Sequence, residues 1–185
     1  MKPVAKMTRG ELAAYVQSHL REKGIESVLS GGSAVSIYSG EIYVSMDLDF
    51  VITGYPKRSK IEEVMQDIGF HQAGRHFEHP ETRLLVEFPG GPLSVGKQQV
   101  SKIEVLEYET GILRVISPGD CVKDRLAAYY YWGDRQSLAQ AIIVVQENPI
   151  DLSEIAAWSQ AEGMLAEFKI IESLLRDASA QSPQE

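Results

Sequence analysis

The chain has 185 residues, a net charge of −8, and 44% hydrophobic against 24% charged residues. This composition suits a folded globular chain, not a disordered or fibrous one, and one long enough to bury about 70% of its unfolded surface without staples. The acidic balance argues against broad binding to duplex nucleic acid, which draws its affinity from Lys and Arg on phosphates. The single cysteine, Cys121, can form no internal disulfide, and neither a signal peptide nor a membrane span is legible. A cytoplasmic protein with no membrane partner is therefore expected.

From Thr8 the apolar residues Leu12, Ala13, Tyr15, Val16 and Leu20 recur at helical spacing, with Thr8 as N-cap, Glu11 three residues on and Gly24 as stop. Ile25 to Leu29 reads as a short strand leading to Gly31-Gly32, and Ser33 to Tyr38 as a short helix ended by Gly40. Ile42 to Ile52 is β-branched and apolar except at Ser45, Asp47 and Asp49, so it is expected to be a central strand, closed by Gly54-Tyr55-Pro56. A surface helix over Ser59 to Ile68 follows. Phe70 to Glu78 and Arg83 to Phe88 read as a hairpin around His79-Pro80-Glu81, and Val100 to Tyr108 and Ile112 to Ile116 as strands joined near Thr110-Gly111. After Ser117-Pro118 the segments Asp120 to Trp132, Arg135 to Gln146, Leu152 to Gln160 and Met164 to Leu175 carry helical periodicity. The expected organisation is a mixed α/β core over residues 1–117, a helical subdomain over 118–176 and a frayed polar tail over 177–185.

Asp47 and Asp49 are the sharpest chemical signal. Side chains at i and i+2 of a strand share a face, with Cα atoms roughly 6.5 to 7 Å apart. Two acids there repel each other and resist desolvation unless a cation or donors answer them, and Mg²⁺ takes such oxygen ligands while keeping positions for substrate phosphates. The plainer alternative is a strand end whose acids face solvent or cap a helix. Gly31-Gly32-Ser33 lies just upstream, at a strand-to-helix junction. Glycine lets the backbone approach a phosphate, the helix N-terminus offers unpaired N–H groups, and Ser33 adds a hydroxyl; alone, the same residues are a tight turn with an ordinary N-cap. The two together are rarer by chance than either part.

Leu29-Ser30-Gly31-Gly32-Ser33-Ala34-Val35 and Asp47-Leu48-Asp49-Phe50-Val51 resemble the nucleotidyltransferase superfamily. Within it they look most like the toxin-type branch related to the abortive-infection AbiE toxin. The resemblance covers residues 25 to 145 and implies a nucleotidyltransferase-like mixed sheet with flanking helices. It also implies Mg²⁺ and transfer of a nucleoside monophosphate from a nucleoside triphosphate with release of pyrophosphate. Carried over, Gly31, Gly32 and Ser33 would hold triphosphate oxygens and Asp47 and Asp49 would ligate the metal. Glu87 is the preferred third acid and metal ligand, with Glu104 as the alternative; a glutamate there departs from the more usual aspartate. Lys123 is expected to reach triphosphate oxygens, and Asp134 to orient that lysine or the incoming nucleophile; an interhelix salt bridge explains the same two residues equally well. The segment Tyr43-Val44-Ser45 lacks the basic residue that such proteins often place before the acid pair.

Other features weigh less. His76 and His79, with His71 and Glu78 nearby, do not match a zinc spacing. Tyr129, Tyr130, Tyr131 and Trp132 can stack on bases, although core packing is the favoured reading. Lys57, Arg58, Lys60, Lys97 and Lys102 form either a basic rim for RNA or a solvated surface, the latter favoured by the net charge. The expected activity is a Mg²⁺-dependent transfer to an RNA 3′ end, tRNA included, or to a protein hydroxyl. The rivals are a catalytically degenerate nucleotide-binding module and a structural partner in a toxin–antitoxin-like pair with a cognate antitoxin.

Overall fold

Thr8 caps α1 (Arg9–Glu22) through a complete capping box: Glu11 N–H donates to Thr8 Oγ1 at 3.3 Å, and Thr8 N–H donates to Glu11 Oε2 at 2.7 Å. The helix ends at Gly24, whose positive φ of 71° takes the chain into β1 (Ser27–Ser30). The computed structural model describes residues 2–100 and 102–183. After β1 come α2 (Gly31–Tyr38), β2 (Asp47–Ile52), α3 (Arg58–Asp67), β3 (His71–Ala73), β4 (His76–Glu78) and β5 (Leu85–Glu87). A small hairpin of β6 (Ser94–Val95) and β7 (Gln98–Gln99) precedes the longer hairpin of β8 (Ile103–Tyr108) and β9 (Gly111–Ile116). Four helices complete the chain: α4 (Pro118–Trp132), α5 (Arg135–Glu147), α6 (Leu152–Ala161) and α7 (Leu165–Ser179).

The larger sheet has seven strands in the order β3-β4-β5-β2-β1-β9-β8, which puts the acid-bearing strand in the middle. β2 runs antiparallel to β1 and parallel to β5, and β1 runs parallel to β9. The sheet is therefore mixed, and the fold is α/β with helices flanking it. Alternation along β2 divides its faces. Leu48 and Phe50 are fully buried on one face, where Phe50, Phe77 and Phe88 make ring contacts and the Arg58 guanidinium lies 5.4 Å from the Phe77 ring centre. Asp47 and Asp49 occupy the other.

Gln17 fixes the junction of β1 and β9, which share a single register pair, Leu29 with Val115. Its side-chain amide donates to the carbonyls of Ser27 and Arg114, each at 3.1 Å, while its Oε1 accepts from Arg114 N–H. A buried helical glutamine thus supplies hydrogen bonds that a strand ladder would otherwise make.

Met1–Ala34, Ser45–Leu93 and Ile103–Ile116 make up one unit, and Val35–Val44, Ser94–Lys102 and Ser117–Glu185 the other. The first contains the seven-stranded sheet with α1 and α3. In the second, Val122, Leu126, Val144, Val145, Ile155, Phe168, Ile171 and Leu175 are buried, and Trp158 Nε1–H donates to the Val95 carbonyl at 3.4 Å. Residues 35–44 and 94–102, placed in the α/β core by sequence order, belong to the helical unit. Residues 42–46 are not strand: Ile42, Val44 and Met46 are exposed and the ladder begins at Asp47. Helix α7 continues to Ser179, past the expected start of the tail. No helix among the described residues is long and apolar enough to cross a membrane.

Candidate active site

Asp47 and Asp49 stand half-buried on one face of β2. The register places Ser30 beside Asp49 on one side and Glu87 beside it on the other. In-register neighbours share a face, so Asp47, Asp49 and Glu87 lie together. Glu104 does not. It pairs with Val115, which pairs with Leu29, which pairs with Phe50, so it lies on the opposite face of a strand at the far edge of the sheet.

Gly31 explains how Asp49 is accommodated. Its φ is +64°, and a Cβ built on it would lie 2.4 Å from Asp49 Oδ2. The position demands glycine twice, once for its left-handed backbone and once because the carboxylate occupies the volume a side chain would need. Asp49 is thereby set at the first residue of α2, where the positive end of the helix dipole favours an anion.

The neighbouring serines hold the backbone of the acid pair. Ser33, expected to offer its hydroxyl to a triphosphate, is fully buried and donates it to the Asp47 carbonyl, tying α2 to β2. Ser45 Oγ–H donates to the same carbonyl at 3.2 Å and accepts from Asp47 N–H at 3.3 Å; Ser30 Oγ–H donates to the Asp49 carbonyl at 3.4 Å. Sequence reasoning missed Ser30 and Ser45, although a serine directly before Gly31 and another two residues before Asp47 were the available signal. Ser33, the third residue of α2, is not the N-cap of the plainer reading; its hydroxyl holds the strand main chain instead.

Glu87 is held from its other side. His76 Nδ1 lies 2.6 Å from Glu87 Oε1, and Arg75 Nε lies 3.3 Å from the same oxygen. Among the described residues no group of three or more His, Cys, Asp or Glu is arranged to hold a metal ion. Oε1 of Glu87 is turned to His76 and Arg75. Asp47 and Asp49 remain a pair of hard oxygen donors on one face. That set fits Mg²⁺, which binds through one or two carboxylates plus substrate phosphates and retains water. His79 and His71 are engaged elsewhere: His79 Nδ1 accepts from Glu81 N–H at 3.1 Å while its ring packs on Phe70, and His71 lies 3.7 Å from Glu78.

In the helical unit, Lys123 is buried to 2% exposure, with Nζ 2.6 Å from Glu154 Oε1 and 3.1 Å from Asp120 Oδ1. Burial pulls its pKa down, but the hydrogen bonds to Glu154 and Asp120 more than offset this, and the net direction is up. Asp134 caps α5: Oδ1 accepts from Gln136 and Ser137 N–H, at 2.9 and 3.3 Å, and Oδ2 from Ser137 Oγ–H at 2.7 Å. These bonds hold its carboxylate below the usual range. Lys123 is held by Asp120 on its own helix and by Glu154 of α6, so its interhelix ion pair is with Glu154 and not with Asp134. The aromatic run is split between roles. Tyr130 stacks on Trp158 with its hydroxyl 3.0 Å from Ser159 Oγ, Tyr131 donates to Glu162 at 2.5 Å, and Trp132 is 80% exposed.

The chain matches no protein-family model and no curated protein. Among solved structures it is similar to an antigenic nucleotidyltransferase-like protein from Paracoccidioides brasiliensis, with a TM-score of 0.61, 13% identity and 95% of each chain covered. Lesser similarity joins it to the antibiotic-resistance factor ANT(2'')-Ia in solution, with a TM-score of 0.49, 13% identity and coverage of 91% of this chain and 95% of that one. The crystal structure of ANT(2'')-Ia in complex with adenylyl-2''-tobramycin gives 0.47, 14% identity, and 84% and 93% coverage. The fold is nucleotidyltransferase-like.

Proposed function

We propose that this chain is a Mg²⁺-dependent nucleotidyltransferase that moves a nucleoside monophosphate from a nucleoside triphosphate to a hydroxyl, at an RNA 3′ end or on a protein. The observation that carries the reading is the seating of Asp49 against Gly31, with Asp47 and Glu87 on the same face of the sheet. Asp47 and Asp49 would hold Mg²⁺, which, when bound, neutralises triphosphate charge. The backbone at Gly31-Gly32 would take phosphate oxygens at the start of α2. Glu87, its Oε1 already engaged, would receive the proton of the incoming hydroxyl on Oε2. Lys123 acts on the helical unit's own carboxylates, so its proposed contribution is to the folded form of α4 and α6.

Incubation with each α-labelled triphosphate, Mg²⁺ and total RNA tests the reading. Label transfer and pyrophosphate release are expected from the natural chain, with a loss of at least about 100-fold in Asp47→Ala, the order reached when a group stabilising transition-state charge is removed. Equal behaviour of the two proteins would sink it.

A second reading is favoured by the engagement of Glu87 Oε1 with His76 and Arg75, which takes up part of the third acid. In that reading the chain binds a triphosphate without turning it over, as the degenerate member of a toxin–antitoxin-like pair. Asp47-dependent nucleotide binding without pyrophosphate release would select it.

A further inference from the structure

We propose that His76 is a positioning residue for Glu87; the inference rests on the nucleotidyl-transfer reading above. His76, Glu87 and Asp49 are consecutive register partners across β4, β5 and β2, so their side chains stand in a row on one face. A carboxylate can only accept, so His76 Nδ1 carries the proton and donates it to Glu87 Oε1 at 2.6 Å. Arg75 approaches the same oxygen at 3.3 Å. Both contacts fall on Oε1; in the proposal Oε2 is the oxygen that meets the acceptor.

The two donors come from one device. β3 and β4 form a tight hairpin, with Gly74 at a positive φ of 64° beside Arg75, and that turn delivers both residues to Glu87. The neighbouring cross-strand contact, His71 with Glu78 on β3 and β4, is far looser at 3.7 Å and more exposed. The backbone ladder and the buried Phe77–Val86 pair already join β4 to β5, so sheet pairing alone does not call for so short a bond at His76. Its effect is to hold the Glu87 carboxylate in one orientation.

In the transfer step the acceptor oxygen bonds to the α-phosphorus while the bond from that phosphorus to the bridging oxygen breaks. Pyrophosphate leaves with the electron pair, and the hydroxyl proton passes to Glu87 Oε2. A carboxylate free to rotate would meet that proton in the right orientation only part of the time.

The test uses the full chain with α-labelled ATP, CTP, GTP and UTP and total tRNA as acceptor. His76→Leu removes the donor, and His76→Asn places an amide N–H close to where Nδ1–H lies. Expected are a fall in kcat of about 10- to 100-fold in His76→Leu, as for partners that orient a ligating group, an unchanged KM for the triphosphate, and recovery of most of the rate in His76→Asn. In a Glu87→Ala background His76→Leu should then cost nothing further. An unchanged kcat in His76→Leu, failure of His76→Asn to recover the rate, or independent multiplication of the two losses would overturn the proposal while leaving Asp47-dependent transfer standing. Absence of Asp47-dependent transfer in the natural chain would overturn both readings. Matching unfolding midpoints for His76→Asn and the natural chain keep the rate comparison free of folding effects.

Discussion

Gly31 concentrates the local argument for the site. Alanine there meets a left-handed backbone, costing about 1–2 kcal/mol, and its Cβ falls 2.4 Å from Asp49 Oδ2. Gly31→Ala is therefore expected to lower stability by at least that amount in denaturant melts and to displace Asp49, cutting transfer more than its stability loss explains. Gly32→Ala is the useful comparison, because Gly32 does not have the positive φ that Gly31 has. At this scale the sequence was informative in an uneven way. The Gly-Gly and Asp-x-Asp motifs are contiguous and announce themselves, but the reason for the first glycine is a carboxylate 18 positions downstream. The hydroxyl of Ser33 goes to the Asp47 carbonyl, a main-chain group that no side-chain pattern encodes.

Elements formed by local rules were read well. Thr8 with Glu11 opens α1 as expected, and α4 opens at Pro118 behind its cap Ser117, two residues before the expected start at Asp120; caps and their helices are neighbours in sequence. Elements that exist by long-range pairing were read less well. The apolar run from Ile42 met no partner strand before Asp47, and the two-residue strands β6 and β7 are too short to leave a periodic trace. Gln17 gave no signal at all, since its partner Arg114 is 97 residues away. Replacing it with leucine removes the partner of the buried Ser27 carbonyl and of the part-buried Arg114 N–H and carbonyl. Gln17→Leu should lower stability by about 1–3 kcal/mol, read as a shifted denaturant midpoint, with faster amide exchange at Arg114.

On the scale of the whole chain, each unit has its own source of stability. In the helical unit, Lys123→Met leaves the buried Asp120 carboxylate without its cation. The expected cost is near the lower end of about 3–5 kcal/mol, because Glu154 is mostly exposed and loses little. The pH dependence follows from the raised Lys123 pKa. The stabilisation is present in full below the ordinary lysine value of 10.5 and is lost as pH rises through the higher folded value. The gap in unfolding free energy between the natural chain and Lys123→Met should thus be constant near neutrality and shrink in strongly alkaline buffer.

The strand order has a consequence for the chain as it is being made. β1 is paired on one side by β2, a near neighbour in sequence, but its other side waits for β9. At roughly 5–20 residues per second, the 80 positions between Ser30 and Gly111 amount to about 4–16 s of synthesis. For that interval β1 keeps an open edge of the kind that recruits stray strands. Gln17 is already made by then, and its amide covers the Ser27 carbonyl on that edge. In the finished fold that edge is closed by β9 and the Gln17 amide together.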